Sequence, residues 1–320
     1  MKKIIATVGP SLLHTTPLTD IHDDRNIYRI NGAHGSIDDI EQYILTIKSQ
    51  VENAKILMDL PGNKVRTADL TYGYIDIEKD KEFSLLFSQM NYKEFFKHIE
   101  IGDVVWANDS IFKFIVKNKN IEEQKIVFIS KSTGRLYNNK GMHVRGIHKN
   151  IPFLFKKDKK LIELANKYKL DYVGLSFVRT QKDIKEAKEL INLDIKIISK
   201  IETIASVENL TSILDEVEYI LIDRGDLSTE IGLAKVPMYQ KHIIEKALFR
   251  GKKIFLATQF LKSMENNPIP TIPEVIDLHN TLKSGIYGIQ MSEETAVGKY
   301  PKNCLDTIVE LMDEIDSEII

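Results

Sequence analysis

The sequence has 320 residues, of which 43% are apolar, so it can bury the core of one large α/β domain with an insertion or of two modest domains. The net charge of −2 argues against a nucleic-acid-binding surface, and no segment approaches the roughly 18 apolar residues of a membrane span. Cys304 is the only cysteine, which excludes an intrachain disulfide and is typical of the reducing cytoplasm, where we expect the protein to work.

Short apolar runs predict eight strands in chain order, at residues 3–8, 27–31, 55–59, 171–175, 195–199, 218–222, 253–257 and 286–291. Most of these runs are apolar at nearly every position, as strands covered on both faces are. Amphipathic patterns between and after them predict helices at residues 37–50, 157–168, 180–191, 235–250, 271–283 and 299–315. This alternation predicts an α/β fold of the (β/α)8 TIM barrel type.

The alternation is interrupted after the third strand. From Arg66 to about Gly146 the pattern becomes β-like, as in residues 74–77 and 125–129. About 80 residues without secondary structure would be unusual inside a compact domain, so we expect a small β-rich domain there. The predicted organisation is a discontinuous barrel of residues 1–66 and 147–320, with an inserted lid domain of residues 67–146.

Polar residues follow nearly every predicted strand, at the end where barrel enzymes bind their substrates. Glu202 and Asp226 each come just after a buried strand. Two carboxylates at a barrel mouth suit Mg²⁺, which keeps coordination positions for substrate and water. The same carboxylates could instead form structural ion pairs with Lys200 and Arg224, and on spacing alone both interpretations stay open.

Several groups at the predicted rim suit anion binding. Lys200 ends a buried strand, where an ammonium can neutralise a phosphate or stabilise an enolate. Arg29 and Arg66 offer planar guanidinium groups for phosphate or carboxylate, and Gly225 lets the backbone approach an anion closely. This inventory fits phosphoryl transfer, and it fits a metal-dependent enolate-forming lyase nearly as well.

Seven motifs, in chain order, resemble those of the pyruvate kinase family. They are R-I-N-G-A-H-G at 29–35, D-L-P-G-N-K-V-R-T at 59–67, N-K-G-M-H-V-R-G at 139–146, I-S-K-I-E at 198–202, R-G-D-L at 224–227, A-T-Q at 257–259, and S-E-E-T-A at 292–296 with G-K-Y-P at 298–301. The similarity covers essentially the whole chain, and chance agreement at so many motifs is negligible.

The resemblance implies transfer of a phosphoryl group between phosphoenolpyruvate and ADP, giving pyruvate and ATP. Glu202 and Asp226 would bind the Mg²⁺ or Mn²⁺ that holds phosphoenolpyruvate. Lys200 would bridge the transferring phosphoryl group and the enolate oxygen. Thr258 would support the substrate carboxylate and the path by which the enolate gains its proton, while the backbone at Gly225 and Asp226 would hold the carboxylate.

The resemblance also implies a phosphate and nucleotide side of the site. Arg29, Asn31, His34 and Arg66 would line it, and Arg29 would also bind the substrate. The inserted domain would close as a lid, bring Lys140 toward the nucleotide phosphates and exclude water. The catalytic residues expected from the family are Lys200, Thr258 and Arg29.

The potassium site of the family is altered in this sequence. Asn31, Asp59 and the carbonyl of Leu60 remain at ligand positions, but Ala33 replaces a serine ligand. Lys64 stands where the family has a glutamate, and its ammonium is a single positive charge on a flexible stem. We therefore expect Lys64 to supply the charge of K⁺ and K⁺ not to be required; a merely solvated lysine is the alternative.

Other departures bear on specificity and regulation. Pro61 replaces a lysine of the family, Glu293 replaces a glycine, and Ile272 stands where the family has an arginine at an interface between barrels. The C-terminal domain that binds allosteric sugar phosphates in many members has no counterpart in the sequence. We therefore expect no sugar-phosphate activation, and a monomer or a barrel-mediated homodimer rather than a tetramer.

Three other functions stay open at this stage. Changed pocket residues such as Gly32, Ala33 and Glu293 would suit a specialised biosynthetic paralogue that uses phosphoenolpyruvate or a related enol phosphate or 2-keto acid in another reaction. A regulatory binding protein without turnover is the second, and the intact Lys200 weighs against it. A metal-dependent aldolase or decarboxylase is the third, but it would leave the lid and Lys140 without an evident role.

Overall fold

The computed structural model describes residues 1–108, 111–146 and 151–317. The chain divides into two compact units. One is formed by Met1–Gly62 together with Leu154–Ile320, and the other by Asn63–Phe153. The smaller unit is therefore an insertion in the sequence of the larger one.

The secondary structure of the described residues alternates strongly outside the insertion. The strands are β1 (Lys3–Thr7), β2 (Asn26–Asn31), β3 (Ile56–Asp59), β4 (Tyr74–Ile77), β5 (Glu82–Leu86), β6 (Val104–Ala107), β7 (Phe112–Asn120), β8 (Lys125–Ser130), β9 (Gly134–Tyr137), β10 (Met142–His143), β11 (Tyr172–Leu175), β12 (Lys196–Ile201), β13 (Tyr219–Asp223), β14 (Lys253–Ala257) and β15 (Gly288–Met291). The helices are α1 (Pro10–His14), α2 (Ile37–Gln50), α3 (Lys156–Lys167), α4 (Gln181–Lys188), α5 (Ile204–Glu208), α6 (Leu210–Glu216), α7 (Arg224–Ile231), α8 (Val236–Phe249), α9 (Ile272–Lys283), α10 (Glu293–Ala296) and α11 (Pro301–Ser317).

The larger unit is a closed barrel of eight parallel strands, which confirms the predicted (β/α)8 TIM barrel. Its order is β1-β2-β3-β11-β12-β13-β14-β15, and β15 closes on β1. Because the strands are parallel, their carboxyl ends meet at one rim. The register there sets Asp59 beside Asn31 on β2 and beside Gly174 on β11. A Cβ at Gly174 would lie 2.9 Å from Asp59 Oδ1, so the glycine leaves room for this carboxylate.

The barrel interior is filled by side chains. Buried aliphatic and aromatic residues from seven strands form one cluster, made of Ile5, Ile27, Leu57, Tyr172, Ile198, Tyr219, Leu221, Phe255 and Ala257. Toward the amino-terminal ends of the strands, the ring of Tyr219 meets Tyr172 and Tyr287 edge-on, with centroids 5.6 and 5.9 Å apart. The interior is therefore a packed core.

The predicted barrel strands lie within two residues of the observed ends, and each long helix was predicted within three. The helices that the pattern did not predict are α1, α5, α6, α7 and α10, and the longest of them has eight residues. Such short helices hold too few turns for a period to emerge from the sequence. Within the described residues, no helix is both long and apolar enough to cross a bilayer.

The smaller unit is built from antiparallel strands. Five of them form a sheet in the order β10-β6-β7-β8-β5, and β4 pairs with β9. Phe114 on β7 packs edge-on against Phe83, with centroids 4.8 Å apart, and Phe83 stacks on Phe128 at 5.3 Å. Alternating burial along β7 and β8 gives this unit one apolar face of its own.

Candidate active site

A buried ammonium lies at the centre of the barrel rim. Lys200, near the end of β12, places its Nζ 3.2 Å from Glu202 Oε2, 3.7 Å from Asp223 Oδ2 and 3.8 Å from Asp59 Oδ2. It also donates to Ser176 Oγ at 3.0 Å. Burial works to lower the pKa of Lys200, but the surrounding carboxylates outweigh it and raise the pKa above its ordinary value. The site therefore holds a lysine that remains charged although it is buried.

A second cation is fixed beside the first. Arg29 on β2 donates from Nε to Asp59 Oδ2 at 2.7 Å and from Nη1 to Thr7 Oγ1 at 2.7 Å. Thr7 Oγ1 in turn donates to the carbonyl of Met291 on β15. Neighbouring strands thus hold the guanidinium, and Asp59 lies between Arg29 and Lys200. The two cations can face one anion because a shared carboxylate keeps them close.

Three carboxylates converge next to Lys200. Glu202, Asp223 and Asp226 each offer one oxygen, and these oxygens lie within 4.8 Å of one another. Glu202 Oε1 accepts the N–H of Phe177 at 2.6 Å, and its buried Oε2 faces the Lys200 ammonium at 3.2 Å. Burial raises the pKa of Glu202 to about 8, with Lys200 lowering it and the two aspartates raising it further. Three carboxylate oxygens this close together fit a divalent cation such as Mg²⁺ or Mn²⁺.

Asp223 has a place in this group that the sequence reading missed. It is the last residue of β13 and the N-cap of α7, and its Oδ1 accepts the N–H groups of Gly225 at 3.1 Å and Asp226 at 3.3 Å. This capping turns Asp226 back toward the rim, while Asp223 Oδ2 faces Lys200. The available signal was an aspartate directly before R-G-D, a residue type that favours the N-cap position.

The start of α7 and the end of β14 form the next part of the rim. Gly225 N–H also donates to Thr258 Oγ1 at 3.0 Å, and Thr258 Oγ1 donates to the carbonyl of Ala257 at 2.7 Å. Thr258 has a φ of +75°, which is unfavourable for a β-branched residue. Arg224 holds this strained backbone by donating to the Thr258 carbonyl at 2.6 and 3.0 Å, and it also binds Asp277 at 2.9 Å. The hydroxyl of Thr258 is thereby fixed beside the amino-terminal end of a helix.

Two further predicted residues lie on the loop that follows β2. Asn31 Oδ1 accepts the N–H of Ala33 at 3.1 Å, so this side chain closes its own loop. The N–H of His34 donates to the carbonyl of Asn31 at 3.3 Å, and His34 is exposed. Leu60 continues from β3, and its N–H donates to Gly174. These residues belong to the barrel unit but not to the cluster around Lys200.

The remaining predicted residues lie together in the smaller unit. Arg66 donates to the carbonyl of Asn139 at 3.4 Å, and the carbonyl of Lys140 accepts the N–H of Thr67 at 2.9 Å. The side chain of Lys64 lies along Gly141, where a Cβ would be 2.7 Å from Lys64 Cε. The sequence reading thus named residues of both units. Ser176 was expected among the polar groups of the rim but without a specific role, and Thr7 was not predicted as a site residue. Their roles as partners of Lys200 and Arg29 depend on contacts between different strands.

Comparison with known proteins points to one family. A family model described as the barrel domain of pyruvate kinase matches residues 1–305. The pyruvate kinase of Thermotoga maritima is 31% identical over 335 aligned positions, covering 99% of this chain and 71% of that protein. The Bacillus licheniformis pyruvate kinase is 30% identical, with 96% and 55% covered, and the Dictyostelium discoideum pyruvate kinase is 30% identical, with 98% and 66% covered. The chain spans between about half and seven-tenths of the length of these relatives.

Proposed function

The chain belongs to the pyruvate kinase family, and from this premise we propose that its barrel transfers a phosphoryl group from phosphoenolpyruvate to ADP. The observation that carries the proposal is the buried, charged Lys200 beside the oxygen trio of Glu202, Asp223 and Asp226. A phosphoryl group in transfer spreads negative charge over its oxygens, and a site catalyses the transfer by positioning and charge neutralisation. A fixed ammonium next to a divalent-cation site suits that demand.

The acidic trio is the proposed metal site. Glu202 and Asp226 would hold Mg²⁺ or Mn²⁺, and Asp223 would support them through the hydrogen bonds that order the start of α7. When bound, such an ion neutralises charge on phosphoryl and enolate oxygens. Lys200 and Arg29 add two positive charges of their own, and both are held in place before any substrate arrives. This preorganisation means that little reorganisation accompanies the reaction.

The substrate carboxylate is proposed to bind where α7 begins. The helix amino terminus favours an anion, and Gly225, which has no side chain, lets an anion approach that backbone closely. The bond between phosphorus and the enol oxygen breaks, and a bond forms from an ADP β-phosphate oxygen to the phosphorus. The enolate then takes a proton at its methylene carbon and becomes pyruvate. Thr258 Oγ1, fixed by Gly225 and Ala257, would lie on the path of this proton.

The residues of the nucleotide side are proposed from the resemblance to the family. Asn31 and His34 on the loop after β2 would bind the nucleotide together with Arg66 and Lys140 of the inserted unit. Closure of that unit would bring Lys140 to the nucleotide phosphates and exclude water. We also propose a monomer or a barrel-mediated homodimer, because Ile272, at the position of the family's interface arginine, cannot donate a hydrogen bond.

The enzyme is proposed to work without K⁺, because Lys64 supplies a positive charge in place of that of the ion. Equal rates in potassium and sodium buffers are then expected for the unmodified protein. Lys64→Glu restores the acidic residue of the family and is expected to lower the rate in sodium and to recover in potassium. Lys79→Glu, an exposed charge reversal in the same unit, is the control. Strong activation of the unmodified protein by K⁺ would overturn this part of the proposal.

The test of the proposed function is a coupled assay with phosphoenolpyruvate, ADP and Mg²⁺. Turnover on the order of 1 per second or faster is expected, as enzymes show on their own substrates. Chelation of the divalent ion is expected to abolish it, and Mn²⁺ to restore it. Absence of turnover with either ion, in potassium or in sodium, would overturn the proposal and favour a relative that acts on another enol phosphate.

A further inference from the structure

One buried carboxylate contacts both segments that connect the two units. The chain leaves the larger unit after Gly62 and re-enters it at Leu154, one residue before Phe155. Asp158 Oδ1 accepts the N–H of Gly62 at 2.9 Å, and Asp158 Oδ2 accepts the N–H of Phe155 at 2.8 Å. Two points 93 residues apart in the sequence are thus bound to the same side chain, which is completely buried.

The position of Asp158 in its helix explains how it reaches both. It is the third residue of α3, and the N-cap residue, Phe155, has no side-chain acceptor for the free amides of the helix start. An acidic residue at this position reaches back to the amide of the N-cap. One oxygen satisfies that amide, and the other is left for Gly62.

Burial raises the pKa of Asp158 to about 6, and the N–H groups of Gly62 and Phe155 lower it. The neighbouring Lys157 also lowers the pKa of this carboxyl. Asp158 is therefore ionised at neutral pH. Its two hydrogen bonds are then charge-assisted, and such bonds are roughly twice as strong as neutral ones.

Gly62 in turn contacts the loop that orders the active site. It has a φ of +64°, and a Cβ there would lie 2.9 Å from Ser176 Cβ and 3.1 Å from Phe177 Cδ2. The hydroxyl of Ser176 accepts from Lys200, and the N–H of Phe177 donates to Glu202. Contacts therefore run without a break from Asp158 through Gly62 to the Lys200 ammonium and to the Glu202 carboxylate.

We propose that Asp158 is a positioning residue for phosphoryl transfer, which fixes both connections of the inserted unit next to the loop that orders Lys200 and Glu202. The effect on turnover rests on the proposed function, because it assumes that groups of the inserted unit take part in the reaction. Loss of the Asp158 carboxylate removes the hydrogen bonds that hold the two connections. Displacement of reacting groups by even about 1 Å lowers the turnover rate by a large factor.

The chain offers a matched control for the experiment. Glu274 is the third residue of α9, and its two oxygens accept the N–H of Thr271, the N-cap, and that of Ser263 in the short 3-10 helix Lys262–Glu265, both at 2.8 Å. This arrangement repeats that of Asp158, but none of its residues belongs to a segment that connects the two units. Asp158→Asn and Glu274→Gln each replace one charged acceptor oxygen by an amide.

The test measures kcat, KM, the melting temperature and hydrogen exchange at Gly62 in both variants. We expect both to melt a few degrees lower. Only D158N should lose about tenfold in kcat, with KM for phosphoenolpyruvate changed by less than about twofold, and only D158N should exchange faster at Gly62. Unchanged kcat in folded D158N, or an equal loss in E274Q, would overturn the proposal. If D158N does not fold, D158E keeps the charge, displaces the oxygens and is judged by the same criteria.

The proposed function and this inference can fail separately. Absence of turnover in the unmodified protein counts against the proposed function alone. Hydrogen exchange then decides the positioning role, and unchanged protection of Gly62 in the variant would overturn it.

Discussion

The two ends of the barrel use the same residue types for different purposes. Lys196 begins β12, and Lys200 lies four residues later on the same strand. The two lysines differ in the side chains that surround them. The Nζ of Lys196 is over the rings of Tyr172 and Tyr219, 5.5 and 5.9 Å from the centroids, and its side chain is exposed. Lys200 is buried among carboxylates and a hydroxyl.

The difference shows that the neighbouring side chains, rather than the residue type, determine what each lysine can do. Aromatic faces attract a cation while water still solvates it, so Lys196 can only add packing and a modest attraction. Carboxylates in a buried rim hold Lys200 charged, where an incoming phosphoryl group can use the charge. Barrel proteins commonly separate stability at one end from chemistry at the other, and these two lysines show that separation on one strand.

The sharpest way to break this comparison is to remove each ammonium in turn. Lys200→Met is expected to lower kcat by about a thousandfold, because a preorganised charge at the reacting group is lost. Lys196→Met is expected to leave kcat within about twofold, since it lies at the other end of the barrel. The coupled assay measures both, with circular dichroism as the check on folding. A comparable loss of kcat in the two variants would show that the ends are not separate.

The aromatic end is expected to govern stability. Tyr219→Ala removes a buried ring that packs on Tyr172, Phe255 and Tyr287. The cost should be about 3 kcal/mol in the free energy of unfolding, from lost packing and the cavity left behind. Tyr72→Ala, at a ring that is 81% exposed, should cost less than about 0.5 kcal/mol. Urea unfolding measures both, and kcat should be unchanged below the melting transition.

The sequence made the barrel predictable because its strands are covered on both faces and appear as uninterrupted apolar runs. Residues that follow those runs on single strands, such as Lys200 and Glu202, could be placed at the rim for the same reason. Asp223 was missed because β13 passes into α7 without a loop, so the capping residue looks like part of the strand. The contact of Asp158 with Gly62 joins residues 96 positions apart, and no local sequence pattern predicts such a contact.

A pH-dependent test sharpens the comparison at the chemical end. Burial raises the pKa of Glu202 from 4.5 to about 8. Without a bound metal ion, this carboxyl therefore holds a proton at neutral pH. Its protonation therefore favours the folded state below about pH 4.5, and that contribution is lost as pH rises through about 8.

A metal ion must displace this proton, so its binding should weaken as pH falls below about 8. We expect Mg²⁺ to raise the melting temperature more at pH 8.5 than at pH 6.5. Glu202→Gln should show a small Mg²⁺ effect at both pH values. A Mg²⁺ effect of equal size at both pH values in the unmodified protein would show that Glu202 already binds as an ionised group.

The smallest expected effect concerns the cation at the aromatic end. Lys196→Gln should lower the free energy of unfolding by about 0.5 kcal/mol, because the attraction of the ammonium to two rings is lost at an exposed site. Lys196→Arg should retain most of this energy, since a guanidinium also stacks on aromatic faces. Urea unfolding in low and high salt separates the attraction between the ammonium and the rings from long-range charge–charge interactions, because salt screens the latter. Equal stability of the glutamine and arginine variants would mean that a cation over the rings adds nothing to the free energy of unfolding.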